Sequence, residues 1–429
     1  MSVINYIVGL IAFYYAWRYA FTKKMVVSNP WGKEQKYVCN QQLSFLLYCI
    51  LTAMLFLGPL SLVKYGVWII IMLLMSFKKG FKCPWNGVMG AYSLFVLWNI
   101  YTISYSAYPE QGWMIVLKFS LPYLYFWLGY NAIKCNDDFY AFLKRTCWIC
   151  AIYALIIGGV SAKFIGPLYA FLNFTTGGLF ISYASLADFF AILMPAPFIM
   201  YFVTKEKKYL YMAGWLFLST ILESVRTGIG ASVLGMGFFY MIYKKGRAIP
   251  YILLGMLVFI ISIFAIPEVR EKMFGDNSSS VTVGTASMDD VSMNGRNYMW
   301  EMIMEHCYNG KETFGSGCGA ALGWLKDINK DDGLQLIHSD WVQMMSESGN
   351  IGLGLFILFA IIMLFKVLSV TWFYQHSRTV TFAGAMTVAG FAACFLVMGF
   401  DNAITYAQQV FVIPFIMLGI LYKSVDLKL

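Results

Sequence analysis

Apolar residues fall in long runs that recur almost from one end of the chain to the other, at 2–20, 41–62, 64–77, 87–106, 112–133, 141–160, 182–203, 209–225, 228–243, 249–266, 350–371, 379–399 and 404–422. Most approach the roughly 20 residues that an α-helix needs to cross the hydrocarbon of a bilayer. Inside lipid the backbone satisfies its own hydrogen bonds only as a helix or a closed barrel. The pattern predicts an all-α polytopic membrane protein with thirteen transmembrane helices. The count falls to twelve if one run is re-entrant or interfacial, since 64–77 and 209–225 are short and little more than Gly58 and Pro59 parts 41–62 from 64–77.

The runs divide the chain into an N-terminal helix bundle (1–266), one large polar segment (267–349) and C-terminal helices (350–429). Within the polar segment, Asp276 to Ser280 and Gly284 to Asp290 read as flexible loop. From Asn297 to Cys307 the apolar positions Met299, Trp300, Ile303 and Met304 recur at helical spacing, which predicts a short amphipathic helix on the outer face of the bundle. Gly310 to Gly323 reads as a glycine-rich turn, and Leu336 to Ser348 as a second helix running through Gly349 towards the next span.

Composition excludes a soluble protein: 60% of the residues are hydrophobic and 12% charged, against about 25% charged in ordinary globular chains. The net charge of +9 matters less than its distribution. Lys23, Lys24, Lys33 and Lys36 share one connection, and Lys78, Lys79 and Lys82 another. Lys134, Lys144 and Arg145, then Lys205, Lys207 and Lys208, then Lys244, Lys245 and Arg247 follow on the same side. Basic connections stay cytoplasmic, so the N-terminus, 161–181 and 267–349 lie outside, and Lys423 and Lys428 inside. From Glu268 to Glu347 there are 13 acidic and 6 basic residues, a charge of −7, which leaves +16 on the remainder. The basic balance is therefore topological and gives nucleic-acid binding no support. The basic residues of Val3 to Tyr19 and its flank, Arg18, Lys23 and Lys24, lie at and after its C-terminal end, not before it, and it has no small-residue cleavage site, so it reads as a retained span.

Nine cysteines show no metal-ligand spacing, and the Cys147–Cys150 pair inside an apolar run reads as small core residues. Cys307 and Cys318 are the cysteines of the outer segment. Eleven residues apart around a glycine-containing turn, they either close a disulfide or stand as two thiols. Of the three histidines, His376 reads as a solvated loop residue and His306 as a packing or surface residue. His338 differs: it opens a polar stretch with Ser339, Asp340, Gln343 and Glu347 where the outer segment meets the membrane, and an imidazole can act as a base near neutral pH. Arg226 lies between two runs on the outer side. An arginine there either pairs with Glu223 or faces a polar cavity. Arg296 precedes the amphipathic stretch and stands either as a surface residue or with Arg226 as a phosphate ligand, because a guanidinium matches phosphate oxygens in bidentate geometry.

His338–Ser339, nine residues, then Gly349–Asn350–Ile351–Gly352 is similar to the His–(Asn/Ser/Gln)–x9–Gly–x–x–Gly pattern of the bacterial O-antigen ligases. Their superfamily includes O-antigen and capsule polymerases and some protein O-oligosaccharyltransferases. Arg226 resembles the arginine which that family places after a serine on the outer side of a mid-chain helix, although here Ser224–Val225–Arg226 replaces the closer pairing. Arg296 with Trp300, followed by the Gly315–Ser316–Gly317–Cys318–Gly319 turn, resembles its loop signature. The resemblance covers about 215–355 in motif detail. It implies a GT-C-like glycosyltransferase in the bacterial plasma (inner) membrane, its site facing the periplasm or cell exterior. The implied donor is an undecaprenyl-pyrophosphate-linked glycan, and the acceptor is lipid A–core for a ligase or a second lipid-linked glycan for a polymerase. It implies an inverting, metal-independent reaction with no cofactor, in which His338 is the base, Arg226 and Arg296 bind pyrophosphate, and Ser339, Trp300, Gly349 and Gly352 support the motif. Asp289–Asp290 and Asp331–Asp332 read as solvated acidic pairs, not as a metal site. A polysaccharide transporter or flippase would be expected to carry inverted repeats, which are not evident, and a purely structural membrane protein leaves the outer histidine and arginines unexplained.

Overall fold

The structure is a computed structural model and describes residues 3–21, 25–28, 34–37, 39–53, 60–77, 80–156, 183–223, 225–244, 247, 249–274, 296–328, 336–404 and 408–429. The expected loops at 276–290, the pairs Asp289–Asp290 and Asp331–Asp332, Ser224, and all of 161–181 lie outside these residues. Each of the thirteen apolar runs contains helix. The first six are α1 (Val3–Ala20), α2 (Gln41–Ala53), α3 (Leu60–Ser76), α4 (Gly87–Ile103), α5 (Pro109–Ala132) and α6 (Asn136–Ile156). Run 182–203 forms α7 (Tyr183–Leu193) and α8 (Pro195–Thr204), because Pro195 suits a first helical turn but not a helix interior. There follow α9 (Lys207–Leu222), α10 (Arg226–Lys244), α11 (Ile249–Ala265) and the short α12 (Pro267–Phe274). The outer segment supplies α13 (Arg296–Ile303) and α14 (Ala320–Ile328), and the chain ends with α15 (Asp340–Phe373), α16 (Arg378–Phe400) and α17 (Gln408–Asp426).

Four stretches among the described residues are long and apolar enough to cross a membrane by length and composition: Ser185–Thr204, Asp340–Phe373, Arg378–Phe400 and Gln408–Asp426. This is consistent with a polytopic helical membrane protein. One departure from all-α is a two-stranded antiparallel ribbon in the first basic connection, pairing Met25 with Tyr37 and Ser28 with Glu34. It has no apolar run to mark it.

The membrane half of α15 shows how an apolar run is read in two directions. Phe356, Phe359, Met363 and Val367 are buried, while Ile357, Ile361, Phe365, Leu368 and Trp372 are exposed on the other side. Both faces are apolar, as a helix between protein and lipid requires. Elsewhere small residues let backbones approach closely. A Cβ on Gly129 of α5 would lie 2.3 Å from Ile416 O of α17, and one on Gly235 of α10 would lie 3.1 Å from Ala389 O of α16. Gly228 packs against Ala187 of α7, where an added Cβ would meet the alanine Cβ at 2.7 Å. These contacts seat α10 against α7 at its first turn and against α16 further along.

Candidate active site

The polar segment folds back onto one end of the bundle. The amphipathic helix is α13, with Met299 and Ile303 buried, and it continues into a π-helical turn at Met304–Tyr308. The glycine-rich turn ends at Gly319, earlier than expected, since α14 starts at Ala320 and includes Gly323. The second helix begins at Asp340, not at Leu336. Ser339 caps it, accepting from Val342 N at 3.3 Å.

Gly349 divides α15. Its φ of 65° and ψ of −170° are non-helical, a conformation open to glycine and costly to residues with a Cβ. The break separates the outer residues 340–348 from the membrane half, and the loop 312–319 docks into it. Ser316 N donates to Ser346 O at 2.9 Å, Gly317 N to Glu347 O at 2.8 Å and Asn350 N to Glu312 O at 2.8 Å. Cβ atoms on Gly315 or Gly349 would each come within 2.6 Å of the other's backbone. Gly352 lets α15 approach α4, since its Cβ would meet Trp98 at 3.0 Å, and Trp98 Nε1 donates to Ser348 O at 2.8 Å. The two motif glycines are therefore packing positions that hold residues 340–348, while the motif histidine stands at the other end of that half-helix.

His338 adopts a left-handed backbone, φ 55°, a conformation that costs a non-glycine residue of order 1–3 kcal/mol. Its neighbours hold it there. Trp300 Nε1 of α13 donates to Ile337 O at 2.7 Å, and Ser339 Oγ lies 3.4 Å from Met398 O of α16. Asp340, fully buried, accepts from Ile404 N at 3.1 Å and closes the α16–α17 turn over the site. Lys118 of α5 is near enough to Asp340 to interact with it electrostatically.

The imidazole faces Asp401, the C-cap of α16, with Nδ1 3.5 Å from Oδ1. That is longer than a good hydrogen bond. Nδ1 is buried while the side chain remains 27% exposed, so the accessible part of the ring is the part turned away from Asp401. Arg296 Nη1 donates to Phe400 O, one residue before Asp401. Arg226, the first residue of α10, lies close enough to Arg296 for their charges to repel. It also sits at the positive end of a 19-residue helix. Behind them lies Asp188 of α7, fully buried, which feels the charges of Asp401 and Glu223. Thr227 approaches it without a hydrogen bond of good geometry.

The structure thus brings together His338, Ser339, Arg296, Trp300 and Arg226, and sets Gly349 and Gly352 apart as supports. Asp401 and Asp188 were missed by sequence reasoning, though each is the one charged residue of an apolar stretch, 379–422 and 182–203. A lone ionisable residue at membrane depth is costly and is a functional signal in itself. His306 stacks on Trp324 with centroids 4.4 Å apart. Cys307 and Cys318 are buried thiols, not a disulfide: Cys318 Sγ reaches Gly112 O at 3.7 Å, and burial pushes the Cys307 thiol up to about 11. Among the described residues no three His, Cys, Asp or Glu side chains gather as a metal site.

Residues 210–357, about a third of the chain, match the family model described as O-antigen ligase. The matched stretch runs from α9 into α15 and includes Arg226, Arg296, Trp300, His338, Ser339, Gly349 and Gly352. No curated protein matches the chain. The family match supports assignment to the superfamily of O-antigen ligases and polymerases, and with it a membrane enzyme of this general type that handles lipid-linked glycans.

Proposed function

We propose that the protein is a membrane glycosyltransferase that moves a glycan from undecaprenyl pyrophosphate to an acceptor hydroxyl at the outer leaflet, and that its acceptor is lipid A–core, which makes it an O-antigen ligase of the bacterial inner membrane. The observation that carries the reading is the convergence of His338, backed by Asp401, with Arg296 and Arg226 at one end of the bundle. In the reaction, His338 takes the proton of the acceptor hydroxyl. The oxygen attacks the anomeric carbon from the face opposite the pyrophosphate, the bond from that carbon to the pyrophosphate oxygen breaks, and the configuration inverts. Asp401 holds the imidazole and stabilises its cation. Arg226 and Arg296 neutralise the charge on the departing pyrophosphate, and the proton remains on His338 until solvent removes it. The pyrophosphate is already a leaving group, so these residues need no metal partner.

The polyprenyl tail has a path from the same arginine. An apolar groove of about 440 Å³ between α8, α9, α10 and α11 is lined on α10 by Val233, Met236, Gly237 and Tyr240. These positions share one helical face and start about 10 Å along the axis from Arg226. A polytopic helical bundle bearing its site on one large outer segment also supports a GT-C-like fold, with that segment facing the periplasm.

The test is transfer by the purified protein from a defined undecaprenyl pyrophosphate glycan, offered lipid A–core or a second lipid-linked glycan. Product on lipid A–core supports the ligase reading. Product only on the second lipid-linked glycan replaces it with a polymerase, and no product on either removes glycan transfer. Reporters fused within 296–328 should be external and those after 206 internal.

A further inference from the structure

A second cavity of the outer end, about 710 Å³, lies between the outer end of α4, the 310–316 loop, the π-helical turn and α14. None of His338, Arg226 and Arg296 lines it. Five aromatic residues line it: Tyr101, Tyr105, Tyr108, Phe314 and Trp324. Tyr101, Tyr105 and Phe314 are 41–56% exposed. His306 stacks face to face on Trp324 at 4.4 Å with 15° between the planes, which holds the two rings in register. Polar groups of His306, Lys311, Glu312, Thr313 and Ser316 interrupt the rings.

The walls are fixed in place. Tyr105 Oη donates to Phe314 O at 2.8 Å, Phe314 stacks on Trp98 at 5.7 Å, and Tyr108 Oη donates to Asp327 of α14 at 2.7 Å. The 312–319 loop is pinned to residues 346–351 by the backbone bonds around Gly349. A cavity whose aromatic walls are held by such bonds is preformed, and binding into it costs little ordering.

We propose that this cleft is a saccharide subsite that grips the glycan of the substrate beyond the sugar being transferred. A sugar ring has one face of C–H groups and a rim of hydroxyls. It matches flat aromatic faces interspersed with hydrogen-bonding side chains. An acyl chain matches less well, because the polar residues Lys311, Glu312 and Thr313 are part of the lining. The position agrees with this occupant. Trp300 holds Ile337 next to His338, and His306 stands six residues further along the same element, about 9 Å along a helix axis. A glycan with its reacting end at His338 therefore reaches the cleft with its next units. The identity of the occupant rests on the glycan-transfer reading, and binding there supplies remote energy that a single sugar cannot use.

The experiment titrates the purified, membrane-reconstituted protein with the water-soluble oligosaccharide that mild acid releases from the host's own lipid-linked glycan. Saturable binding is expected for the wild type. It should weaken about tenfold in Trp324→Ala and about threefold in His306→Ala, the loss of one aromatic contact each. His338→Ala should bind like the wild type, as should Trp85→Ala, which removes an exposed tryptophan at the opposite end. If Trp324→Ala does not elute as a monodisperse protein, Trp324→Leu and His306→Ala carry the test. Absence of saturable binding by the wild type, or equal affinity in the cleft variants, overturns the subsite. Because binding is read without turnover, a His338→Ala protein that transferred normally would instead overturn the catalytic reading and leave the subsite standing.

Discussion

The two ends of the bundle treat their buried ionisable groups differently. At the end carrying the basic connections, Asp138 accepts from Asn40 Nδ2 at 2.9 Å and from Lys134 N at 2.8 Å. Asn131 bonds to both backbone groups of Lys82, and Arg145 donates to Tyr19 O at 2.7 Å while lying over its ring. At the outer end, both oxygens of Asp188, Asp340 Oδ1, His338 Nδ1 and both amide atoms of Asn402 are buried without a hydrogen bond from the protein. Leaving a buried polar group unmet costs about 1–3 kcal/mol, and proteins tolerate it mainly at functional sites. At the basic end Asp138 and Arg145 are tied into bonds between elements, although Asn86 Nδ2, Tyr140 Oη, Thr146 Oγ1 and Thr381 Oγ1 are buried there without a hydrogen-bond partner. At the outer end the unmet groups are mostly ionisable, and a histidine with a left-handed backbone is among them.

That contrast can be broken by substitution. After His338 itself, the largest effects belong to the outer arginines: Arg226→Lys and Arg296→Lys should each lower kcat for glycan transfer by about 10²-fold although the charge is kept, since a preorganised donor is lost. Membrane insertion should be unchanged, and His376→Ala, at the far end, should transfer normally. Asp401→Asn should lower kcat about tenfold, because the acid orients the His338 ring. An unchanged kcat would reduce Asp401 to a helix cap.

Gly349→Ala should lower thermal stability by about 2 kcal/mol or more, from the positive φ and the clash with Gly315, and transfer should fall with it. At the inner end, Asn40→Ala should cost about 1–3 kcal/mol in stability and leave kcat within about twofold. A kcat loss there as large as at Asp401 would erase the distinction between the ends. The smallest effect is chemical. With its thiol pushed up to about 11, Cys307 holds about a thousandth of its population as thiolate at pH 8. Maleimide should label it only after unfolding, and reductant should leave the thiol count unchanged.

Much of this was legible beforehand. Apolar run length marked the helices, because lipid leaves the backbone no other way to satisfy itself, and helix period marked α13. The His338 motif and the two arginines were visible as chemistry out of place. The role of Gly349 was not, since a glycine at a helix break looks like any glycine until the 312–319 loop is seen against it. Asp401 and Asp188 lie 63 and 150 residues from His338 in the chain, and only packing of α7, α10 and α16 brings them together. The ribbon at Met25–Ser28 and Glu34–Tyr37 lacks the strong alternation that a half-buried strand shows.

The most direct measurement is single-turnover transfer from undecaprenyl pyrophosphate glycan by the wild type and by His338→Ala, at matched amounts of reconstituted protein across pH 6 to 9, with and without added imidazole. With His338 as the base, the variant should transfer at least about 10²-fold more slowly at every pH, and imidazole should restore part of the rate. Near-normal transfer by His338→Ala across that range would contradict the assignment and leave the two arginines, or the substrate's own pyrophosphate, to carry the reaction.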